Sequence, residues 1–151
     1  MTEPRIVERD AFTVVGLEYV GKNEHMEIPV LWTRFIQRAG EITNPSETGT
    51  AYGVCVEMSD QGEFTYLAGL AVVDDSQIPE GMTSRNIPVA RYAVFTHRGS
   101  LATLQDTYAS IYTKWLPEAG LQPLGYNFEL YDDRFKDFTP ESEFDIYVPI
   151  G

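Results

Sequence analysis

The sequence predicts an α+β fold made of a repeated βαββ unit, with a mainly antiparallel sheet and helices over one face. Three observations predict it. The order strand, helix, strand, strand occurs twice along the 151 residues. Both helical stretches carry a tryptophan beside a leucine, Leu31-Trp32 and Trp115-Leu116. The strand that follows each helix also matches in outline, with Tyr52 to Glu57 paralleling Tyr126 to Tyr131. The half-modules span about residues 5–75 and 86–151 of a single domain, joined by a linker from Asp74 to Arg85 that holds Pro79 and Gly81.

Ile6 to Tyr19, rich in Val, Phe and Tyr, predicts the first strand. Ile28, Leu31, Trp32, Phe35, Ile36 and Ala39 keep the 3.6-residue period of a helix. Pro29 suits its first turn, where an N–H has no partner anyway, and Gly40 suits its end. Tyr52 to Met58 and Phe64 to Val73 read as strands joined by the turn Ser59-Asp60-Gln61-Gly62. In the second half, Val89 to His97 predicts a strand. Leu101 to Ala119 predicts a helix with the stripe Leu101, Leu104, Tyr108, Ile111, Tyr112, Trp115 and Leu116, with Ser100 as N-cap and Gly120 as stop. Tyr126 to Tyr131 and Phe144 to Ile150 are the closing strands, separated by a polar loop.

Composition narrows the function. Twenty-three acidic residues against 11 basic ones leave a formal net charge of −12. That balance argues against direct nucleic-acid binding and favours cationic ligands or basic partners. One cysteine, Cys55, excludes an internal disulfide and a cysteine-based zinc site. No cofactor is implied. No signal peptide and no membrane-length apolar run is visible, so the expected location is the cytoplasm.

Strand alternation nominates an uncovered sheet face. On the last strand Phe144, Ile146, Val148 and Ile150 share one side, expected under the helices. Placing Tyr126, Phe128 and Leu130 under the helices as well leaves Glu129, Tyr131, Asp145 and Tyr147 together on the other face. Gly53, Cys55 and Glu57 are their counterparts in the first half, and the small ones leave room. Carboxylates beside tyrosines suit an organic cation. They equally suit acid–base chemistry, for which Glu57, Glu129 and Asp145 are the candidates, or plain solvated surface. A nucleophile set of Cys55, His97 and Asp145 is weaker, and each has an ordinary structural reading. Trp32 and Trp115 lie on helix stripes and suit either a core or a shared cleft.

Five segments, Ile28 to Phe35, Ile87 to Gly99, Trp115-Leu116-Pro117, Phe128 to Arg134 and Phe144 to Ile150, together resemble the GyrI-like small-molecule-binding domains, the effector-binding domains of AraC-type and MerR-type multidrug regulators. The resemblance implies two βαββ modules about a pseudo-twofold axis, a central aromatic ligand cleft, and an acidic side chain that meets lipophilic cations. The family's closing strand runs acidic, apolar, any residue, apolar, Pro, which here is Asp145-Ile146-Tyr147-Val148-Pro149. Asp145 stands where a Glu is more usual, so Glu129 and Glu57 are alternatives for that role. The expected ligand-binding residues are then Trp32, Tyr52, Trp115 and Glu129, with Tyr131, Asp145 and Tyr147.

The resemblance to the stand-alone branch implies a binding domain for a hydrophobic, cationic small molecule, with no DNA-reading segment. The alternatives are a hydrolase of reactive electrophiles using a cleft carboxylate, and a protein-interaction module of the gyrase-inhibitor type.

Overall fold

The computed structural model describes residues 4–22, 25, 27–47, 49–56, 62–100, 103–136 and 139–150. Among them lie eight strands: β1 (Arg5–Arg9), β2 (Phe12–Gly21), β3 (Ala51–Val56), β4 (Phe64–Val72), β5 (Thr83–Ile87), β6 (Ala90–Arg98), β7 (Asn127–Tyr131) and β8 (Glu143–Ile150). Helix α1 spans Glu27–Arg38. The second helix has three parts: α2 (Leu104–Ser110), a π-helical turn (Ile111–Trp115) and α3 (Leu116–Ala119). No helix among the described residues is long and apolar enough to cross a membrane.

The strands form one antiparallel sheet in the order β1-β6-β8-β7-β3-β4-β2-β5. The predicted duplication is visible in that order. The triplet β6-β8-β7 mirrors β2-β4-β3, each with its own helix, and the modules meet at the β7–β3 seam. The expected continuous first strand is instead two strands, broken at Asp10-Ala11, and the expected linker runs into strand β5. These extra strands are exchanged. β1, which leads into β2, pairs with β6, whereas β5, which leads into β6, pairs with β2. The inward positions shift phase at the break, from Val7 and Arg9 on β1 to Phe12 and Val14 on β2, so the two strands are separated by alternation as well as by partner choice.

This exchange forces the sheet to curl. β1 and β2 stand six strand spacings apart in the order, about 29 Å if the sheet were flat. Yet only Asp10 and Ala11 separate them, a link spanning at most about 11 Å. Pro88 and Val89 make the same short crossing from β5 to β6. The curled sheet therefore encloses its inner face, which is packed with Val14, Tyr52, Val54, Leu67, Tyr92 and Phe128.

The outer face carries the helices. Leu31 and Phe35 of α1 pack on Val15, Leu17, Tyr66 and Ala68. Ile111 and Leu116 pack on Phe95, Phe144, Ile146 and Val148. The second helix widens ahead of Pro117, whose missing N–H leaves the Thr113 carbonyl without its ordinary i+4 donor. Leu116 N–H bonds the Ile111 carbonyl, which is π-helical spacing. The described α-helix opens at Leu104 after Thr103, which makes no side-chain cap bond, and the predicted start at Leu101 behind Ser100 lies outside the described residues. It ends at Gly120, which adopts the left-handed conformation at φ 71°.

Inside the curl, Arg9 stands against aromatic rings. Its guanidinium carbon lies 4.2 Å from the Phe12 centroid, 5.3 Å from Tyr52 and 5.5 Å from Phe128. Arg9 also donates to the Tyr52 hydroxyl at 2.5 Å, and that hydroxyl donates to Glu47 at 2.7 Å. Asp145 is buried on the same inner side. It accepts from Thr96 at 2.7 Å, Arg134 at 2.8 Å and Arg5 at 3.3 Å. It thus ties β1 and the loop after β7 to β8. Replacing Asp145 by Asn removes the charge that meets Arg5 and Arg134, although Arg134 keeps Asp132 at 2.9 Å and both guanidinium groups are partly open to water. It is expected to destabilise the fold by about 1–3 kcal/mol in urea denaturation.

Candidate functional site

The two helices leave the seam between modules uncovered on the outer face, and a cleft of about 1490 Å³ opens there. Trp32, Phe35 and Ile36 of α1 line one side, and Leu104, Tyr108 and Tyr112 of the second helix line the other. The floor is Cys55, Tyr66, Asn127, Glu129 and Tyr131. Volume and lining exceed what a small metabolite needs and suit a drug-sized apolar molecule.

Glu129 stands at the centre of that floor, only 7% exposed. Three phenols donate to it. Tyr66 and Tyr131 each reach Oε1 at 2.7 Å, and Tyr108 reaches Oε2. The phenols are held in turn, Tyr66 by Trp32 Nε1 at 3.0 Å and Tyr108 by Asn127 Nδ2 at 3.3 Å. Among the described residues no basic side chain lies within ion-pair distance of Glu129. The carboxylate is therefore sheltered and hydrogen-bonded but not neutralised.

Local sequence explains the arrangement. Glu129 pairs across the seam with Gly53. A Cβ on Gly53 would lie 2.0 Å from the Tyr66 hydroxyl oxygen and 2.8 Å from Glu129 Oε1, so only glycine leaves room for this contact. Tyr66 stands opposite Cys55 on β4, whose small side chain leaves the ring free to lean over the seam. Tyr108 and Tyr112 are one helical turn apart and both face the cleft.

Burial, then the nearby Glu129 charge, holds the Tyr66, Tyr108 and Tyr131 hydroxyls well above the ordinary phenol range. The same two causes push the Cys55 thiol up to about 12. Burial and then Cys55 push Tyr112 up to about 12. At neutral pH these phenols and the thiol are uncharged, and Tyr66, Tyr108 and Tyr131 donate to Glu129.

The expected site residues divide between the two faces. Trp32, Glu129 and Tyr131 meet in the cleft. Tyr52, Asp145 and Tyr147 do not, because they lie on the inner face. Tyr52 is bonded to Arg9 and Glu47, Asp145 is held by arginines, and Tyr147 is stacked 4.6 Å from Phe128. Trp115 packs beneath the second helix with Phe144 and Ile146 and does not line the cleft. Glu57 lies outside the described residues. The expectation that Glu129 and Asp145 share a face is corrected by register. Glu129 pairs with Ile146, and Asp145 pairs with Leu130. The reason is the curl. It gives the apolar side of β7 an enclosed core of its own, so Phe128 and Leu130 need no helix above them. On β8 the expected sides hold.

Cys55, His97 and Asp145 form no nucleophile set. His97 is buried against Thr107 and Ser100, and Asp145 is on the other face. Among the described residues no group of three or more His, Cys, Asp or Glu is placed to hold a metal. Sequence reading missed Tyr66 and the role of Tyr108. The signals were a tyrosine in a strand opposite small residues, and a tyrosine on a buried helix stripe whose hydroxyl needs a partner.

Comparisons with known proteins agree with this fold. The family model Cass2, described as an integron-associated effector binding protein, matches residues 5–150. The transcriptional regulator BrlR of Pseudomonas aeruginosa is 43% identical over 148 residues, which is 97% of this chain and 54% of that protein. The chain thus spans about half the length of that relative. Among solved structures, SAV2435 bound to tetraphenylphosphonium superposes with a TM-score of 0.77 at 19% identity, covering 99% of this chain and 94% of that one. The integron cassette protein VCH_CASS2 of Vibrio cholerae gives 0.73 at 18% identity, covering 99% and 97%. At these identities the structural likenesses show the fold.

Two outcomes test the site's construction. Gly53→Ala should destabilise the protein by about 1–3 kcal/mol through overpacking, measured by denaturation. Raising the pH should weaken the fold as well. Cleft phenols and Cys55 ionise later in the folded chain than in the unfolded one, so their stabilisation is complete below the unfolded values and is lost above them. Denaturation midpoints should fall from about pH 9 upward, and Tyr66→Phe should flatten that slope.

Proposed function

Because the chain belongs to the Cass2 family of integron-associated effector binding proteins, whose model matches residues 5–150, we propose that its cleft binds a hydrophobic organic cation. The single observation that carries this reading is Glu129, a sheltered carboxylate with three phenol donors and no basic partner among the described residues. A cation entering the cleft supplies the missing countercharge, and the rings of Trp32, Tyr66 and Tyr131 line the same cleft beside it. The printed ligand of SAV2435, tetraphenylphosphonium, has this chemistry and supports the choice of probe. Binding is favoured over hydrolysis because phenols already hold three of about four lone-pair sites on Glu129, which leaves a single acceptor for a water.

Titration of the intact chain with tetraphenylphosphonium, followed by calorimetry or tryptophan fluorescence, tests the proposal. Glu129→Gln should weaken binding by on the order of 2–5 kcal/mol, roughly 30-fold or more. Trp32→Ala should weaken it by about 0.5–2 kcal/mol. Asp145→Asn, measured where it remains folded, should leave affinity within about twofold. Undiminished binding by Glu129→Gln would sink the electrostatic reading.

A further inference from the structure

The hydrogen-bond inventory of the cleft carries a finer statement, which rests on the reading that the cleft binds cations. A carboxylate offers about four lone-pair sites. At Glu129 three of them are taken, two on Oε1 by Tyr66 and Tyr131 and one on Oε2 by Tyr108. The phenol oxygens are themselves acceptors, and two of those are taken too. Trp32 Nε1 donates to Tyr66, and Asn127 Nδ2 donates to Tyr108. The network begins in N–H donors and ends on the carboxylate. It therefore presents negative charge to the cleft while keeping most of its acceptors occupied.

We propose that the cleft selects cations that carry no hydrogen-bond donor, such as quaternary ammonium, phosphonium and delocalised aromatic cations, over protonated amines of the same framework. A primary ammonium brings three N–H groups, each of which loses water on entry and needs an acceptor. One lone pair of Glu129 can serve one of them. Serving more means breaking a phenol bond, which leaves a buried hydroxyl unpartnered. Further lining acceptors, the hydroxyls of Thr33, Tyr112 and Tyr126 and the amide oxygen of Gln105, form no hydrogen bond with Glu129 and lie outside the strand that carries it. A donor-free cation meets none of these penalties. It feels the same charge and the same rings. The discrimination is the inverse of a site built to hydrogen-bond its ligand, which rejects the analogue lacking the donor.

The test is a matched pair on one framework, biphenyl-4-ylmethyl-trimethylammonium and biphenyl-4-ylmethylammonium, titrated into the intact chain at pH 7 by calorimetry. The expected result is at least tenfold tighter binding of the trimethyl cation. Greater apolar area alone could produce part of that preference, so the deciding measurement is Tyr131→Phe. This variant frees a lone pair on Oε1 without altering ring size, and the preference should shrink at least threefold because the primary ammonium gains an acceptor. Equal or tighter binding of the primary ammonium by the unaltered chain overturns the inference and leaves the cation reading standing. An unchanged preference in Tyr131→Phe also overturns it. Failure of both cations to bind overturns the cation reading and this inference with it.

Discussion

A carboxylate removed from water is expensive unless its lone pairs are met, and a chain ordinarily meets them with arginine or lysine. Glu129 is met by phenols instead. Three hydroxyls from β4, β7 and the second helix converge on it, and a tryptophan from α1 holds one of them in place. Both helices and two of the strands that border the cleft contribute side chains to this one contact. Gly53 is required to admit it, and the seam between the two modules is where it forms. The local demand for donors thus organises side chains from both halves of the repeat. Because the donors are neutral, the charge survives their attention. An arginine would have satisfied the same lone pairs and erased the field that a ligand could use.

The fold makes such a site possible by separating support from recognition. Exchanged strands β1 and β5 curl the sheet until its inner face becomes a closed core, built on Tyr52, Tyr92 and Phe128. That core binds the modules together from behind. The helices are then free to stand apart on the outer face, each over its own module, and the gap between them needs no filling by the chain's own side chains. Arg9 shows the contrast within one molecule. Inside the curl a cation among aromatic rings is supplied by the protein itself, whereas on the outer face the equivalent chemistry is left open.

Much of this was legible in the sequence. The 3.6-residue periods of Ile28 to Ala39 and Leu101 to Leu116 located both helices, and Gly120 marked the end of the second. The repeated order of elements and the GyrI-like resemblance led to the family. Glu129, Tyr131 and Trp32 were found as candidates from residue type and alternation. The faces were harder. Alternation along β7 separates Phe128 from Glu129 but does not say which of them faces a helix, because both sides of this sheet are enclosed or sheltered. The usual inference that the apolar side lies under helices presumes one solvated face, and the curl removes it. Asp145 and Tyr147 were grouped with Glu129 for that reason. The partners of β1 and β5 were likewise hidden, since pairing between distant segments leaves no periodic trace.

Along β7, consecutive residues belong to different compartments. Phe128 and Leu130 serve the closed interior, and Glu129 and Tyr131 serve the open cleft. The strand is in effect a two-channel message read in alternate phase. Substitution can retune either channel alone, exchanging a phenol or a core ring without disturbing the other. Insertion or deletion of one residue cannot, because it would carry the carboxylate into a dry aromatic core and a phenyl ring into the place of the charge. Strand β7 therefore tolerates exchange of letters better than a change of length, and ligand range in a fold of this kind is expected to change by side-chain exchange.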